Sequence, residues 1–249
     1  MSQLSRRSFN QDVLGSLLTF SLLETLFTRD LFADEVKPVA AQWLAKIDAM
    51  SREMKGKKLT QVQWQEQVEQ LFSRIELPEM LKFLDFDKLT AGIDFKDEGE
   101  RSLRAKFPEV EGLPTELIFG HQVFALKQGR SVAPHGHDNM ATAFLILQGE
   151  FRGRHYDRLE DDGDYMILRP TIDRTFKAAE YSTVSDHRDN VHWFTAGSET
   201  GFIFNIHVQN IVEGKKSGRV YVDPNGEKLS DERIRAKKIG GAEAYKLFG

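Results

Sequence analysis

Two hydrophobic rhythms divide the chain. From residue 10 to 90 the apolar positions recur as on one face of a helix. Leu14, Leu18, Leu22 and Leu26 form one stripe, with Asp12, Ser16 and Thr19 on another. Val36-Lys37-Pro38 marks a break, and Pro38 suits the first turn of the next helix, where its missing N–H is not needed. Helical spacing resumes from Ala40 to Met54 and gives way to the loop KGKK. Thr60 and Gln63 then fit a capping box opening a third helix that runs to Phe72. Leu77-Pro78 opens a fourth, short one.

The rhythm changes near Phe107. From there to about Asp223 the chain is rich in Phe, Val, Ile, Tyr and Thr, in short alternating runs such as ELIFGHQVFAL, TAFLILQGEFRG, NVHWFTAG and TGFIFNIHVQNIV. Gly, Asp, Asn and Pro punctuate these runs, which predicts an all-β sandwich or barrel. Arg219–Val222 reads as a strand and Asp223-Pro224-Asn225-Gly226 as a turn. Ser230 is placed to cap a helix through Ile239, stopped by Gly240-Gly241. The predicted organisation is a helical region over 1–106, a β-barrel over 107–228 and a C-terminal helix over 229–249. The first region carries no histidine and no Gly-rich loop, so it reads as a layer packed on the β domain.

Composition narrows the chemistry. The 249 residues carry 34 Lys+Arg against 38 Asp+Glu, a net charge of −4, which argues against nucleic-acid binding because phosphates need a basic surface. With no cysteine, disulfides, thiolate metal sites and cysteine nucleophiles are excluded, and any metal must be held by His, Asp, Glu or carbonyl oxygen. The segment Leu4-Ser5-Arg6-Arg7-Ser8-Phe9 resembles a twin-arginine export signal within residues 1–33, followed by VLGSLLTFSLLETLF. Glu24 interrupts that apolar run, and Leu31 stands where a cleavage site wants a small residue. The first reading is an internal packing helix in a cytoplasmic protein; periplasmic export is the alternative. The run is too short to span a bilayer comfortably. Stable membrane insertion is not expected, and a homodimer is kept as an open expectation.

All seven histidines (121, 135, 137, 155, 187, 192 and 207) follow residue 120. The sharpest feature is His135-Gly136-His137. On a strand, residues i and i+2 project to one face, so two imidazoles can chelate one ion. Gly129 and Pro134 suit a turn leading into that strand, and the apolar run TAFLIL follows and ends at Gln148-Gly149.

The stretch Gly129-RSVAP-His135-Gly136-His137-DNMA-Thr142-AFLILQ-Gly149 resembles the first motif of cupins, with Thr142 in the place of the usual Glu. Asp189-Asn190-Val191-His192 is similar to the second motif at its His, although His187 and Asp189 occupy the usual Pro and Gly places. Loss of the Glu ligand leaves three histidines, as in the cysteine (thiol) dioxygenase branch. This resemblance covers roughly the β region. It implies a cupin jelly roll and a mononuclear non-haem Fe(II) dioxygenase acting on a small anionic substrate and O₂. It implies metal ligation by His135, His137 and His192, and a catalytic place for His207 beside the metal. The chain departs from that branch around His207, where Asn205 and Gln209 replace a Ser and a Tyr. No substrate-binding Arg is marked by a motif; Arg130, Arg152 and Arg154 are nearby candidates.

Neutral imidazoles suit Fe, Ni, Cu and Zn, so Zn, Mn or Ni remain alternatives to iron. A Zn or Mn isomerase or hydrolase, and a non-catalytic sensor using the helical region as a partner contact, are the rival functions. His187 competes with His192 for the third ligand place, but lies in the polar loop SDHRD, whereas His192 enters an alternating strand. His155 reads as a surface or rim residue, His121 as pocket or core, and Thr142 as a pocket wall. Phe144, Ile146, Trp193, Phe202 and Phe204 are the expected apolar lining, and Tyr156, Tyr165 or Tyr181 could replace the missing Tyr.

Overall fold

The computed structural model describes residues 40–109 and 114–249. The stretch expected to form the first helix, and the twin-arginine-like segment, lie outside the described residues. A turn of π-helix, Ala40–Leu44, leads into α1 (Ala45–Lys55), followed by α2 (Gln61–Phe72), α3 (Leu77–Phe83) and α4 (Phe86–Thr90). The Thr60 box forms as predicted: Gln63 N–H donates to Thr60 Oγ1 at 3.1 Å, and Thr60 N–H donates to Gln63 Oε1 at 2.9 Å. Pro78 sits in the first turn of α3. Among the described residues no helix is long and apolar enough to cross a membrane.

Eleven strands follow among the described residues: β1 (Arg101–Leu103), β2 (Gly120–Lys127), β3 (Ser131–Asp138), β4 (Met140–Gln148), β5 (Glu150–Asp162), β6 (Tyr165–Lys177), β7 (Tyr181–Ser185), β8 (Val191–Ala196), β9 (Thr200–Gln209), β10 (Gly218–Lys228) and β11 (Ile234–Ile239). They form two antiparallel sheets. The first has the order β1-β2-β9-β4-β7; the second, β10-β11-β6-β5-β8-β3, closes on itself through β10 and β3. Within them β2-β9-β4-β7 face β3-β8-β5-β6, and the chain changes sheet at every step from β2 to β9 except the β5–β6 hairpin, the double Greek-key order of a jelly roll. The fold is therefore mainly β, a cupin-type jelly roll with short helices before it and α5 (Gly241–Phe248) after it.

Three apolar layers result. Alternate residues of the first sheet, such as Ala143, Leu145, Phe204 and Ile206, face the helices. There Trp43 packs on Phe204 with ring centroids 5.5 Å apart. The intervening residues Phe124, Phe144, Ile146 and Ile203 face the second sheet and meet Val132, Phe151 and Phe194. Both faces of the first sheet are thus covered, which explains near-continuous apolar runs such as AFLIL. The third layer, with Met166, Leu168, Val191 and Ala236, belongs to the closed sheet alone. The helices are fixed by polar contacts as well: α2 lies against β7, where Gln61 exchanges hydrogen bonds with Asp186 and Glu69 accepts from Thr183 and Arg188.

Two local expectations are corrected. Ile234–Ile239 is a strand, not a helix. Its Arg, Ala and Lys residues favour a helix in isolation, but the segment pairs with both β6 and β10 and buries Ala236 completely. Gly240 consequently starts α5 instead of ending a helix. Asp223–Gly226 is not a terminating turn but an irregularity inside β10, where the register with β11 shifts between Asp223 and Glu227.

Candidate metal centre

The first sheet and the closed sheet enclose a cavity of about 280 Å³. The closed sheet supplies His135 and His137 from β3, His192 from β8 and Arg219 from β10. The first sheet supplies Gln122, Phe124, Met140, Thr142, Phe144, Asn205, His207 and Gln209. No Asp or Glu lines it among the described residues.

Local sequence explains how the ligand strand is aimed. The pairing of β3 with β8 shifts between Val132 and His135, and Pro134, which lacks an N–H, sits in that irregular stretch. Beyond it His135 lies opposite His192. Gly136 passes under Asn190: a Cβ there would lie 2.6 Å from Asn190 Oδ1. Asn190 Nδ2 in turn donates to the carbonyls of His137 at 2.8 Å and Ser185 at 2.9 Å. A glycine between the two histidines therefore lets Asn190 tie β3 to the segment leading into β8.

The three imidazoles converge. His137 Nε2 lies 3.1 Å from His135 Nε2 and 3.4 Å from His192 Nε2, and one nitrogen from each ring falls within 4.8 Å of the others. Nitrogens about 2.1 Å from one ion are spaced ~3.0 Å at right angles and ~3.4 Å at tetrahedral angles, so the spacing fits a shared cation. Tautomers agree with this. The Ala133 carbonyl only accepts, so His135 Nδ1–H donates to it at 2.8 Å and leaves Nε2 as a lone pair. Thr142 Oγ1 lies 3.2 Å from His137 Nδ1, a pocket-wall contact that can fix the same tautomer.

Electrostatics keep the rings neutral. Burial, then Arg219 and His137, hold His135 well below its ordinary value. His137 is lowered to about 3 by burial, then Arg219 and His207. His192 is held well below by burial and then by the neighbouring histidines. Neutral imidazoles are the ligand form.

His207 lies on the same cavity wall, opposite Thr142 across the β4–β9 pair. Its Nδ1 donates to Asn205 Oδ1 at 3.2 Å, which also accepts from Gln122 Nε2 at 3.3 Å. Burial, then Arg219, lowers His207 to about 4.

Several expected residues lie elsewhere. His187 is not among the converging histidines. His121 lies outside the cavity, with Nε2 2.9 Å from the Ala105 carbonyl and its ring stacked on Phe107. His155 is not at the rim: it is 0% exposed, between the sheets, stacked on Phe176. It continues the inward-facing alternation of Phe151 and Gly153 along β5, a placement the polar neighbours Arg154 and Asp157 obscure. Of the expected apolar lining, Phe144 faces the cavity, while Phe202 and Phe204 face the helices and Trp193 packs on Phe248. Arg152 and Arg154 pair with Asp173, and neither they nor Arg130 line the cavity. Tyr156, Tyr165 and Tyr181 are likewise absent from its walls.

Arg219 was not anticipated. It is the second residue of β10, directly opposite His137, and its Nη1 lies 4.0 Å from Glu100, whose carboxylate accepts from Tyr245 Oη at 2.9 Å. No local motif marks it; only the pairing of β10 with β3 brings it to the histidines.

No family model matches the chain, and no curated protein does. Solved structures share parts of it. A Klebsiella pneumoniae uncharacterized protein with a double-stranded β-helix domain is 14% identical over 54% of this chain and 86% of its own, with a TM-score of 0.34. Procruciferin, an 11S globulin from Brassica napus, is 11% identical over 42% of this chain, with a TM-score of 0.33. A putative sugar phosphate isomerase from Acidithiobacillus ferrooxidans is 14% identical over 36%, with a TM-score of 0.28. The chain spans only 23% of the globulin and 49% of the isomerase. The strand order carries the fold assignment by itself: this is a cupin-type double-stranded β-helix with a buried three-histidine group able to hold a metal ion.

Proposed function

We propose that the chain is a mononuclear non-haem Fe(II) dioxygenase acting on a small anionic molecule. One observation carries the reading: three neutral imidazoles converge in a cavity that also holds Arg219 and no carboxylate. A divalent ion held this way keeps its full charge, so the site favours an anionic partner such as a thiolate, carboxylate or enolate. When bound, Fe(II) supplies the one-electron chemistry that allows O₂ to react with a closed-shell molecule.

The chain's own residues do the rest. His135, His137 and His192 would hold the ion. Arg219 offers a charge-assisted hydrogen bond to an anionic group. His207, oriented by Asn205 and Gln122 and resting over Gly120, forms part of the cavity wall beside substrate. Phe124, Met140 and Phe144 exclude water. Both oxygen atoms pass to the substrate, so no outside reductant is consumed.

The test is metal analysis and O₂ uptake. Protein expressed in iron-supplemented medium is expected to hold one iron per chain and to consume O₂ with cysteine, 3-mercaptopropionate or a related small thiol. His192→Ala should abolish both. Tight zinc with no O₂ uptake on any small anion would overturn the reading and leave the hydrolytic, isomerase or sensing function.

A further inference from the structure

Four side chains stand in one row across the closed sheet. Tyr221 on β10 faces His135 on β3, His135 faces His192 on β8, and His192 faces His155 on β5. Residues directly opposite on antiparallel strands project to one face. Ring centroids are 4.3 Å apart for His135 and His192, and 6.4 Å for His192 and His155. The metal reading uses the first two histidines and leaves the last, although it is fully buried.

The hydrogen-bond accounting at the end of this row is incomplete in a complementary way. If His192 gives Nε2 to the ion, its proton is on Nδ1, which becomes a donor. That Nδ1 is buried with no partner. On His155, Nε2 lies 3.5 Å from Ser182 Oγ, and Nδ1 is also buried with no partner. With its proton on Nε2 toward Ser182, His155 has a lone pair on Nδ1 and is an acceptor. A buried donor and a buried acceptor on neighbouring rings are each costly unmade. A single water between them would satisfy both, as buried waters do for polar groups that cannot meet directly.

Resting on the metal reading, we infer that His155 is a positioning residue. Through one buried water to His192 Nδ1, it holds His192 in the tautomer that presents Nε2 to the ion. The Ser182 hydroxyl, which can accept as well as donate, accommodates the matching tautomer of His155. Phe176, stacked at 6.0 Å, and Phe194, edge-on at 5.5 Å, keep the ring from turning away. His155 thus acts on the ion only through His192.

The experiment combines calorimetric titration with Co²⁺ and nitrogen-15 NMR of the histidine rings. His155→Phe is expected to weaken Co²⁺ binding about 10–100-fold, the usual cost of losing an outer partner of a ligand, and to alter the visible spectrum of the Co²⁺ form. His155→Gln, which keeps an acceptor, should recover most of the affinity. In the metal-free wild type, His192 should carry its proton on Nδ1, and in His155→Phe that preference should be lost. Unchanged Co²⁺ affinity and spectrum in His155→Phe, or a wild-type His192 protonated on Nε2, would overturn the inference. Should His155→Phe not fold, the wild-type tautomer and the His155→Gln titration still decide it. If the wild type binds no divalent ion, the metal reading fails; the NMR of the metal-free protein then separately decides the link between the two rings.

Discussion

Gly120 and His207 face each other across β2 and β9, so closely that a Cβ at position 120 would lie 2.2 Å from His207 Nε2. The bare backbone of one strand is the bed on which the other strand's imidazole rests. A Gly120→Ala substitution should push the ring off its Asn205 contact. Overpacking of this kind costs about 1–3 kcal/mol, so the denaturant midpoint should fall modestly while anion binding at the cavity falls sharply. A wild-type binding profile in Gly120→Ala would show that the ring position does not matter.

Removing a ligand should separate metal binding from folding. His192→Ala, in a site where one nitrogen from each of three rings falls within 4.8 Å, should weaken divalent-metal binding by more than the ~10–100-fold typical of an outer partner. His187→Ala should leave it unchanged. Titration with Co²⁺ or Zn²⁺ checks both, with circular dichroism confirming the β content of each variant.

Arg219 predicts two effects of opposite sign. Its charge depresses the proton affinity of His135 and His137, and the same repulsion acts on a divalent cation. Arg219→Gln should therefore bind metal as well as the wild type or more tightly. Small anions should bind the metal form about 10–100-fold more weakly, the value of one charge-assisted hydrogen bond. Parallel metal and azide titrations would reveal the split; a fall in both would mean that Arg219 is merely structural.

Acid should unfold the metal-free protein early. Burial lowers His137 and His155 to about 3, against an ordinary value of 6.5 regained on unfolding. Between those limits the unfolded chain binds more protons than the folded one, so stability is full above about pH 6.5 and falls as pH drops. Each such histidine contributes a slope of about 1.4 kcal/mol per pH unit. The urea midpoint should decline steeply from pH 6.5 to 4.5. A flat midpoint over that range would contradict the buried neutral histidines.

At the C-terminus, Tyr245 Oη lies 2.9 and 3.0 Å from the two oxygens of Glu100, whose proton affinity burial raises from its ordinary value. Tyr245→Phe leaves that group without its hydroxyl donor. A loss of about 1.5–3 kcal/mol is expected, as for hydrogen bonds to charged groups, read as a drop in thermal midpoint.

The sequence was most legible where one local rule decides the outcome. The capping box at Thr60 and Gln63 and the short apolar run TAFLIL, bounded by Gln148-Gly149, needed no distant partner to be recognised. The His-x-His spacing put two rings on one face for the same reason. What escaped was set by strand pairing over long separations. Ile234–Ile239 has helix-forming residues, yet two neighbouring strands claim it. Arg219 reaches the cavity only because β10 pairs with β3. His155 sits among charged neighbours in the sequence, but those side chains point away while its own points inward.

Closure of the second sheet also bears on how copies of the chain can meet. A ring of strands has no unpaired rim for another molecule to extend. In the first sheet one flank is the three-residue β1 and the other is the five-residue β7, on whose side chains α2 packs. Strand-by-strand growth into fibrils therefore finds little purchase among the described residues.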